Sequence, residues 1–479
     1  MANGLTIGLF NDSFPPTIDG VANAAANYAR FIQQDHGTAV VATPWYPDTE
    51  DNYPFEVVRY PSAYISKRLG YRAGYPFDPR VIKRLEGYQI DLIHTHCPFI
   101  STVLGRVLRH QTGAPMVFTY HTKFDIDIEK RVAFNPVRSA SIKFVLSNIN
   151  ACDEIWAVSR GAGENLRSLG FEGDYVIMEN GADFPKGRAE EDEIRHIRAL
   201  HGLQEDLPTF LFVGRMMWYK NIQLILDSLK LVKNAGLPFQ MLFVGSGADL
   251  SEIQAYTQTL ELDNCCIFPG MIRDRNLLKA YFSTADLFLF PSTYDTSGLV
   301  VKEAAACNCP SLLVRGSCAA EGVTDGETGI LTEETPESIA KGIAAACRNL
   351  EGLRQIGKHA GEYVYLSWED AVAKAYRRYG NVLENYEKKQ DLLPKNEIFF
   401  ENVQRVREDI TLRAKRKVRH IYRHYRKQGQ RIKTKIHYTS YKIKKFLPMS
   451  PAKRYAIQAT HSITDPAIRQ NPGQENETL

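Results

Sequence analysis

Short runs rich in β-branched and aromatic residues recur along this chain, and each leads into a stretch with helical spacing of its apolar residues. LTIGLF (5–10), TAVVAT, DLIHTH, PMVFTYH, EIWAVS and YVIMEN make a first series. A polar, charge-rich stretch, PKGRAEEDEIRHIRALHGLQEDLP (185–208), interrupts it. A second series then follows: TFLFVG, FQMLFVG, CCIFPG, DLFLFPS, PSLLVRG and TGILT. Nearly continuous apolar runs of this length read as strands covered on both faces, and intervening helices require the strands to be parallel. The spacing predicts helices over 21–34, 221–234 and 277–283, and a purely helical end over 338–349, 353–367 and 368–386. The economical fold is α/β, two doubly wound domains in tandem with a cleft between them. Functional residues are then expected on loops at the carboxyl ends of the strands.

At 479 residues the chain is too long for one ordinary core. The divisions expected are 1–185, 186–366, a helix over 367–388 that crosses back to the first domain, and an appendage over 389–479. No apolar run approaches the roughly 20 residues of a membrane-spanning helix. The opening MANGLTIGLFNDSFPP reads as a first strand rather than a signal peptide, which implies residence in the cytosol. The eight cysteines form no C-x-x-C pair, so buried reduced thiols are expected. The net charge of +4 conceals an asymmetry: residues 411–450 hold fourteen Lys or Arg and no acid, leaving 45 basic against 55 acidic residues elsewhere.

Two clusters carry most of the chemistry. In FLFVGRMMWYKN (210–221) a strand end supplies two cations, Arg215 and Lys220. In FPSTYDTSGLVVKEAAA (290–306), Asp295 and Glu303 enclose seven residues that include Ser297, Gly298 and Leu299. Paired cations match a diphosphate. Carboxylates match sugar hydroxyls, because an ionised carboxylate only accepts hydrogen bonds and a hydroxyl can donate them. The amides of Ser297, Gly298 and Leu299 at a helix start favour an anion. A nucleotide-sugar site follows. The plain alternatives are a surface lysine, a domain-packing arginine and two solvated acids. Gly20, between a Pro-rich loop and a helix, lets backbone approach a ligand closely, or is simply a turn. His94 and His96 share a strand face next to Cys97, but a fourth ligand for zinc is missing, so they read as structural. Asp125 and Asp127 spell D-x-D yet diverge if they lie on a helix. No metal and no cofactor is expected.

Taken together, FNDSFPPTIDGVA, DLIHTH, FTYHTKFD, AVSRG, MENGAD, VGRMMWYKN, FVGSGAD, FPGMI, the Asp295–Glu303 segment, TDGETG and SWED resemble, in order and spacing, a family 4 retaining glycosyltransferase of the GT-B fold. That fold consists of two Rossmann-like domains facing a cleft. The resemblance implies that Arg215 and Lys220 grip the donor diphosphate, that Glu303 binds the ribose and that Asp295 contacts the donor sugar. The family usually has Glu at this last position, so Asp shortens the reach by one methylene. It further places His121 beside the donor sugar as a positioning group rather than a general base. Gly20, Asn180 with Gly181, Gly214 in VGRMMWYKN and Gly245 in GSGAD are expected to line the donor site.

The tail carries Val418, Ile421, Tyr425, Ile432, Ile436 and Ile443 as a narrow apolar stripe among its cations. Such a helix suits an anionic membrane surface, with Arg416, Lys417, Arg419, Arg423, Arg426 and Lys427 as contacts. Nucleic-acid binding and a clamp against the acidic body are the rivals. The sequence therefore suggests a peripheral, metal-independent enzyme moving a hexose from a nucleotide diphosphate sugar, UDP-glucose first, to a membrane lipid such as diacylglycerol. Bacterial diacylglycerol glucosyltransferases and related glycolipid mannosyltransferases are the resembling members. A polysaccharide, teichoic-acid or lipid-linked oligosaccharide acceptor keeps the chemistry. A non-catalytic scaffold or a nucleic-acid-binding protein would abandon it.

Overall fold

A computed structural model describes residues 4–17, 19–47, 49–64, 72–124 and 135–389. Asp125, Asp127 and the whole basic tail, Arg416 to Lys427 included, lie outside the described residues.

The first series of runs forms β1 (Thr6–Phe10), β2 (Thr38–Pro44), β3 (Glu56–Tyr60), a small antiparallel hairpin of β4 (Ser62–Tyr64) and β5 (Arg72–Gly74), β6 (Leu92–Thr95), β7 (Met116–Tyr120), β8 (Glu154–Ala157) and β9 (Val176–Ile177). The second forms β10 (Thr209–Val213), β11 (Gln240–Val244), β12 (Cys266–Gly270), β13 (Leu287–Phe290), β14 (Ser311–Val314) and β15 (Ile330–Thr332). Their order is β3-β2-β1-β6-β7-β8-β9 in one sheet and β12-β11-β10-β13-β14-β15 in the other. All neighbours in both sheets pair in parallel. In each sheet the order reverses direction beside the first strand of the series, β1 or β10. That is where an open α/β sheet leaves a crevice at its carboxyl edge.

Several elements differ from expectation. The runs FEVVRY and SAY become β3 and β4, which the sequence reading passed over; β3 alternates buried and half-buried residues at the sheet edge. YVIMEN contributes only two strand residues. The helix expected over 21–34 ends at Phe31 and continues as a π-helical turn, Ile32–His36. The π-helical turn ends at Gly37, where a Cβ would sit 2.3 Å from the Leu5 carbonyl oxygen. The charged stretch 185–208 contains a true helix, Glu191–His201. It is capped reciprocally by Glu190 and Glu193, and its narrow stripe buries Ile194 and Ile197. Polarity on its outer face hid that stripe.

The helix Trp368–Lys389 returns from the second sheet to the first. Trp368, Ala371, Val372, Ala375, Tyr379 and Val382 recur at helical spacing and are buried with Ile7, Leu9 and Tyr28. Polar ties fix the register. Tyr376 accepts from the Leu5 amide (2.6 Å), and Arg378 donates twice to Glu154 (2.9 and 2.8 Å). The two places where the chain passes between the sheets run side by side, with the Ala182 amide 2.8 Å from the Leu366 carbonyl. Gly181 belongs to this junction: a Cβ there would lie 2.4 Å from the Trp368 amide nitrogen.

Asp12, just beyond β1, accepts from the amide (2.9 Å) and hydroxyl (3.1 Å) of Ser101 and from Tyr60 (3.3 Å), tying the start of the helix Ile100–Thr112. Burial outweighs these bonds and pushes its carboxyl up to about 6. With a folded-state value above the unfolded one, the native state holds the proton more tightly, so stability falls as pH rises from about 4 to about 6. Asp12→Asn keeps an acceptor oxygen but removes the titration. Its stability relative to wild type, from urea unfolding, should improve by about 1 to 3 kcal/mol between about pH 4 and about pH 7. A difference independent of pH would contradict the burial account.

Candidate functional site

The loops after β10 and β11 interlock through backbone alone. Gly214 donates to the Val244 carbonyl (3.0 Å), Gly245 to that of Gly270 (2.9 Å) and Met216 to that of Ser246 (3.0 Å). Gly245 has φ +143°, and a Cβ on it would lie 1.8 Å from the Gly214 oxygen; one on Gly247 would lie 2.2 Å from the Met216 oxygen. Met216, fully buried, pins the loop between exposed Arg215 and the short 3-10 turn Trp218–Lys220. Asn221, at φ +58°, turns the chain into the next helix, and its side-chain amide donates to the Pro291 carbonyl (2.9 Å).

That turn delivers Lys220 to the second cluster. Its ammonium lies 2.5 Å from Asp295 Oδ1, while Ser292 donates to Oδ2 (2.6 Å). Tyr219 and Tyr294 flank the charge at 5.4 and 5.9 Å. The two motifs, 75 residues apart, therefore meet in one ion pair. The expected division, Lys220 for phosphate and Asp295 for sugar, has to start from a pair already bonded to each other. Past Asp295, Gly298 takes φ +53° as the cap of the helix Leu299–Ala306. A Cβ there would lie 2.9 Å from Ala319 Cα, so glycine is required twice over.

Glu303, on the inner face of that helix, is 7% exposed. It bonds Arg275, which also reaches Asp183 (3.5 Å) and lies over the Phe184 ring (4.4 Å). Burial raises the Glu303 carboxyl, with Arg275 opposing. No sequence signal marked Arg275, because it sits at an ordinary helix start capped by Asp274.

The first half faces this region. The His121 carbonyl, one residue past β7, accepts from Thr296 (2.5 Å), and Lys123 donates to the Thr293 carbonyl (3.2 Å). Burial pushes the His121 imidazole down to about 3, so it is neutral near pH 7 and a poor base there. Lys302, beside Glu303, is buried and donates to Glu179 (3.0 Å) and the Asn180 carbonyl (2.9 Å). The Asn180 side-chain oxygen is buried without a partner among the described residues. Glu321 accepts from the amides of Arg160 (2.6 Å) and Gly161 (2.7 Å), at the start of the helix Arg160–Ser168. Sequence reasoning passed over Lys302 and Glu321, whose partners lie far away in the chain. Gly20 caps no strained turn: a Cβ there would meet only Leu299 Cδ1, at 4.0 Å. Among the described residues no cluster of metal-ligating side chains occurs, and His94 is bonded instead to Tyr379 and Thr119.

Family models match both halves. One described as Glycosyltransferase Family 4 covers residues 18–184, and one described as Glycosyl transferases group 1 covers 193–362. The chain is a glycosyltransferase of the GT-B fold. The enzyme is 24% identical over 314 residues to the alpha-monoglucosyldiacylglycerol synthase of Streptococcus pneumoniae, covering 64% of this chain and 70% of that protein. It is 22% identical over 368 residues to the synthase of the same name from Acholeplasma laidlawii, covering 74% and 92%. Among solved structures, sucrose-phosphate synthase from Thermosynechococcus elongatus superposes on this glycosyltransferase with a TM-score of 0.64 at 21% identity, over 80% of this chain and all of that one. Anabaena HepE in complex with UDP-glucose gives 0.61 at 16% identity, over 80% and 100%. These likenesses support the fold of the enzyme.

The glycines of the glycosyltransferase separate by experiment. Gly245→Ala forces a Cβ into a carbonyl at a positive φ and should cost the folded enzyme more than about 3 kcal/mol. Gly20→Ala should change stability by less than about 0.5 kcal/mol. Chemical denaturation checks both; equal effects would show that the loop interlock is not what requires Gly245.

Proposed function

We propose that this glycosyltransferase moves a hexose, with UDP-glucose as preferred donor, to a membrane lipid acceptor such as diacylglycerol, retaining the α configuration. The observation that carries the reading is the ion pair of Lys220 with Asp295, which joins the loop that also bears exposed Arg215 to the loop before the helix of Glu303. The names of the two synthases from Streptococcus pneumoniae and Acholeplasma laidlawii favour the glucosyl donor and the lipid acceptor.

In this reading the diphosphate takes the Lys220 ammonium and the Arg215 guanidinium, and Asp295 turns from Lys220 to a hydroxyl of the hexose. Exchanging one partner for another leaves every charged group in the cleft hydrogen-bonded, and fixed cations stabilise the leaving diphosphate as its charge develops. Glu303 accepts from the ribose hydroxyls while Arg275 holds it ionised against burial. Gly214, Gly245 and the amides of Ser297, Gly298 and Leu299 frame the phosphates. Asn180 turns its unpartnered oxygen to the sugar, and Gly20 leaves room for ligand where the fold itself demands no glycine. The neutral ring of His121 orients the hexose, and the departing phosphate oxygen accepts the proton of the acceptor hydroxyl. Residues 1–185 would take the acceptor and 186–366 the nucleotide, with 367–388 joining them.

Arg215→Ala and Lys220→Ala should each lose about 2 to 4 kcal/mol of transition-state stabilisation, roughly 30- to 1,000-fold in kcat/KM. Steady-state assays with UDP-glucose and membrane lipid measure it, and turnover should survive exhaustive chelation. Wild-type rates in both variants would sink the assignment, and activity restored only by a divalent cation would sink the metal-free scheme.

The tail, with its fourteen cations over 411–450, is assigned to the anionic membrane surface. Truncation after Glu387 should leave donor hydrolysis near wild type, abolish co-sedimentation with phosphatidylglycerol vesicles and depress transfer to lipid more than to a soluble acceptor. Salt should weaken binding of the full chain. A full chain indifferent to anionic lipid would favour a polysaccharide acceptor.

A further inference from the structure

The histidines of DLIHTH have no task in the scheme above, yet they lie directly behind His121. His94 belongs to β6 and His96 follows it by one residue; their rings lie 4.1 Å apart between centroids, inside the first half. His94 is satisfied on both sides, with Nδ1 2.7 Å from the Tyr379 hydroxyl and Nε2 2.7 Å from that of Thr119. Both partners are hydroxyls that can donate or accept, so either tautomer is served. His96 is different. Its Nδ1 lies 3.0 Å from His121 Nε2, and its own buried Nε2 has no partner among the described residues.

Burial holds all three rings neutral, helped for His94 and His96 by their neighbours, so each carries one N–H. Only one proton can occupy the axis between His96 and His121. If His121 supplied it, the proton of His96 would sit on Nε2, a donor sealed in the core. The Tyr28 ring, 5.3 Å away and tilted by 60°, offers only a weak π acceptor. If His96 supplies it from Nδ1, what stays unpaired on the sealed His96 Nε2 is a lone pair, and the unpaired N–H moves to His121 Nδ1, which is not among the buried unpartnered atoms of the described residues. Orphaned buried N–H groups are the rarer case, because an unmade donor bond forfeits its full desolvation cost.

We infer that His96 is a positioning residue: by donating from Nδ1 to His121 Nε2 it locks His121 in the tautomer that carries its proton on Nδ1. That nitrogen has no partner among the described residues. His121 thus presents a fixed donor, suited to an oxygen lone pair of a sugar hydroxyl and unable to take up the acceptor's proton through Nε2. The assignment of the sugar as its recipient rests on the function proposed above; the tautomer does not. The close packing of His94 against His96, with Tyr379 bonded to His94, ties the setting to the helix Trp368–Lys389. The returning helix thereby reaches the site without touching substrate.

Long-range proton–nitrogen correlation spectra of the full chain, labelled with ¹⁵N-histidine and assigned with His96 and His121 variants, read the tautomers directly. The wild type should show His121 protonated on Nδ1. His96→Asn places an amide N–H near the position of Nδ1; it should keep that tautomer and hold kcat within about threefold. His96→Leu removes the donor, so Nε2–H should appear on His121 and kcat should fall about tenfold with the UDP-glucose KM little changed. A wild-type His121 protonated on Nε2, or a tautomer unmoved in His96→Leu, overturns the inference, and the first result needs no variant to fold. If the tautomers follow His96 but His121→Ala transfers glucose at the wild-type rate, the positioning stands and the placement of His121 on the sugar falls.

Discussion

The burial of the helix Trp368–Lys389 in the core of the first half is the interaction on which the rest of this molecule depends. Two sheets with separate cores would be joined by a single strand of chain at residues near 182. The returning helix makes the joint double, with Ala182 bonded to Leu366 and Gly181 pressed on Trp368. Each large apolar side chain it buries contributes roughly 1.5 to 3 kcal/mol, and Trp368, Val372, Tyr379 and Val382 are all in the core. Two adjacent crossings restrict the relative motion of the halves far more than one would. Residues contributed by both, His121 and Thr296 or Lys302 and Asn180, can therefore be placed to within a hydrogen bond.

Electrostatics inside the joint follow one pattern. Lys220 is paired with Asp295, Arg275 with Glu303, Lys302 with Glu179, and the start of a helix with Glu321. Removing a half-buried charge from water is costly unless another group receives it. A polar cleft can solve this by carrying its own counter-charges, as these pairs do. Net charge is a poor guide to such a site, since the body as a whole is acidic while its cleft alternates in sign.

The parallel α/β architecture was legible because strands buried on both faces spell themselves out as unbroken apolar runs such as TFLFVG and DLFLFPS. Edge elements were not. β3 and the β4–β5 hairpin alternate or carry exposed residues, and β9 keeps only two residues of a longer run. Helix Glu191–His201 hid behind a charged outer face. In the site, Arg215, Lys220, Asp295 and Glu303 stood out through spacing and residue type. Arg275, Lys302 and Glu321 did not, because an ordinary charged residue on a helix or loop becomes notable only when a partner more than twenty residues away is known.

The sequence by itself determined the kind of sheet and which strand ends would bear cations and acids, since periodicity and composition are local properties of a chain. Glycine requirements were half legible: Gly245 and Gly298 are forced by a positive φ and by backbone atoms of Gly214 and Ala319 that leave no room for a side chain, whereas Gly20 is not. Tertiary structure alone decided that Lys220 meets Asp295, that Arg275 meets Glu303, and that His96 stands behind His121. Hydrogen bonds and ion pairs act over about 3 Å, and which side chains come that close is set by how two sheets and one returning helix pack. No linear pattern encodes that distance.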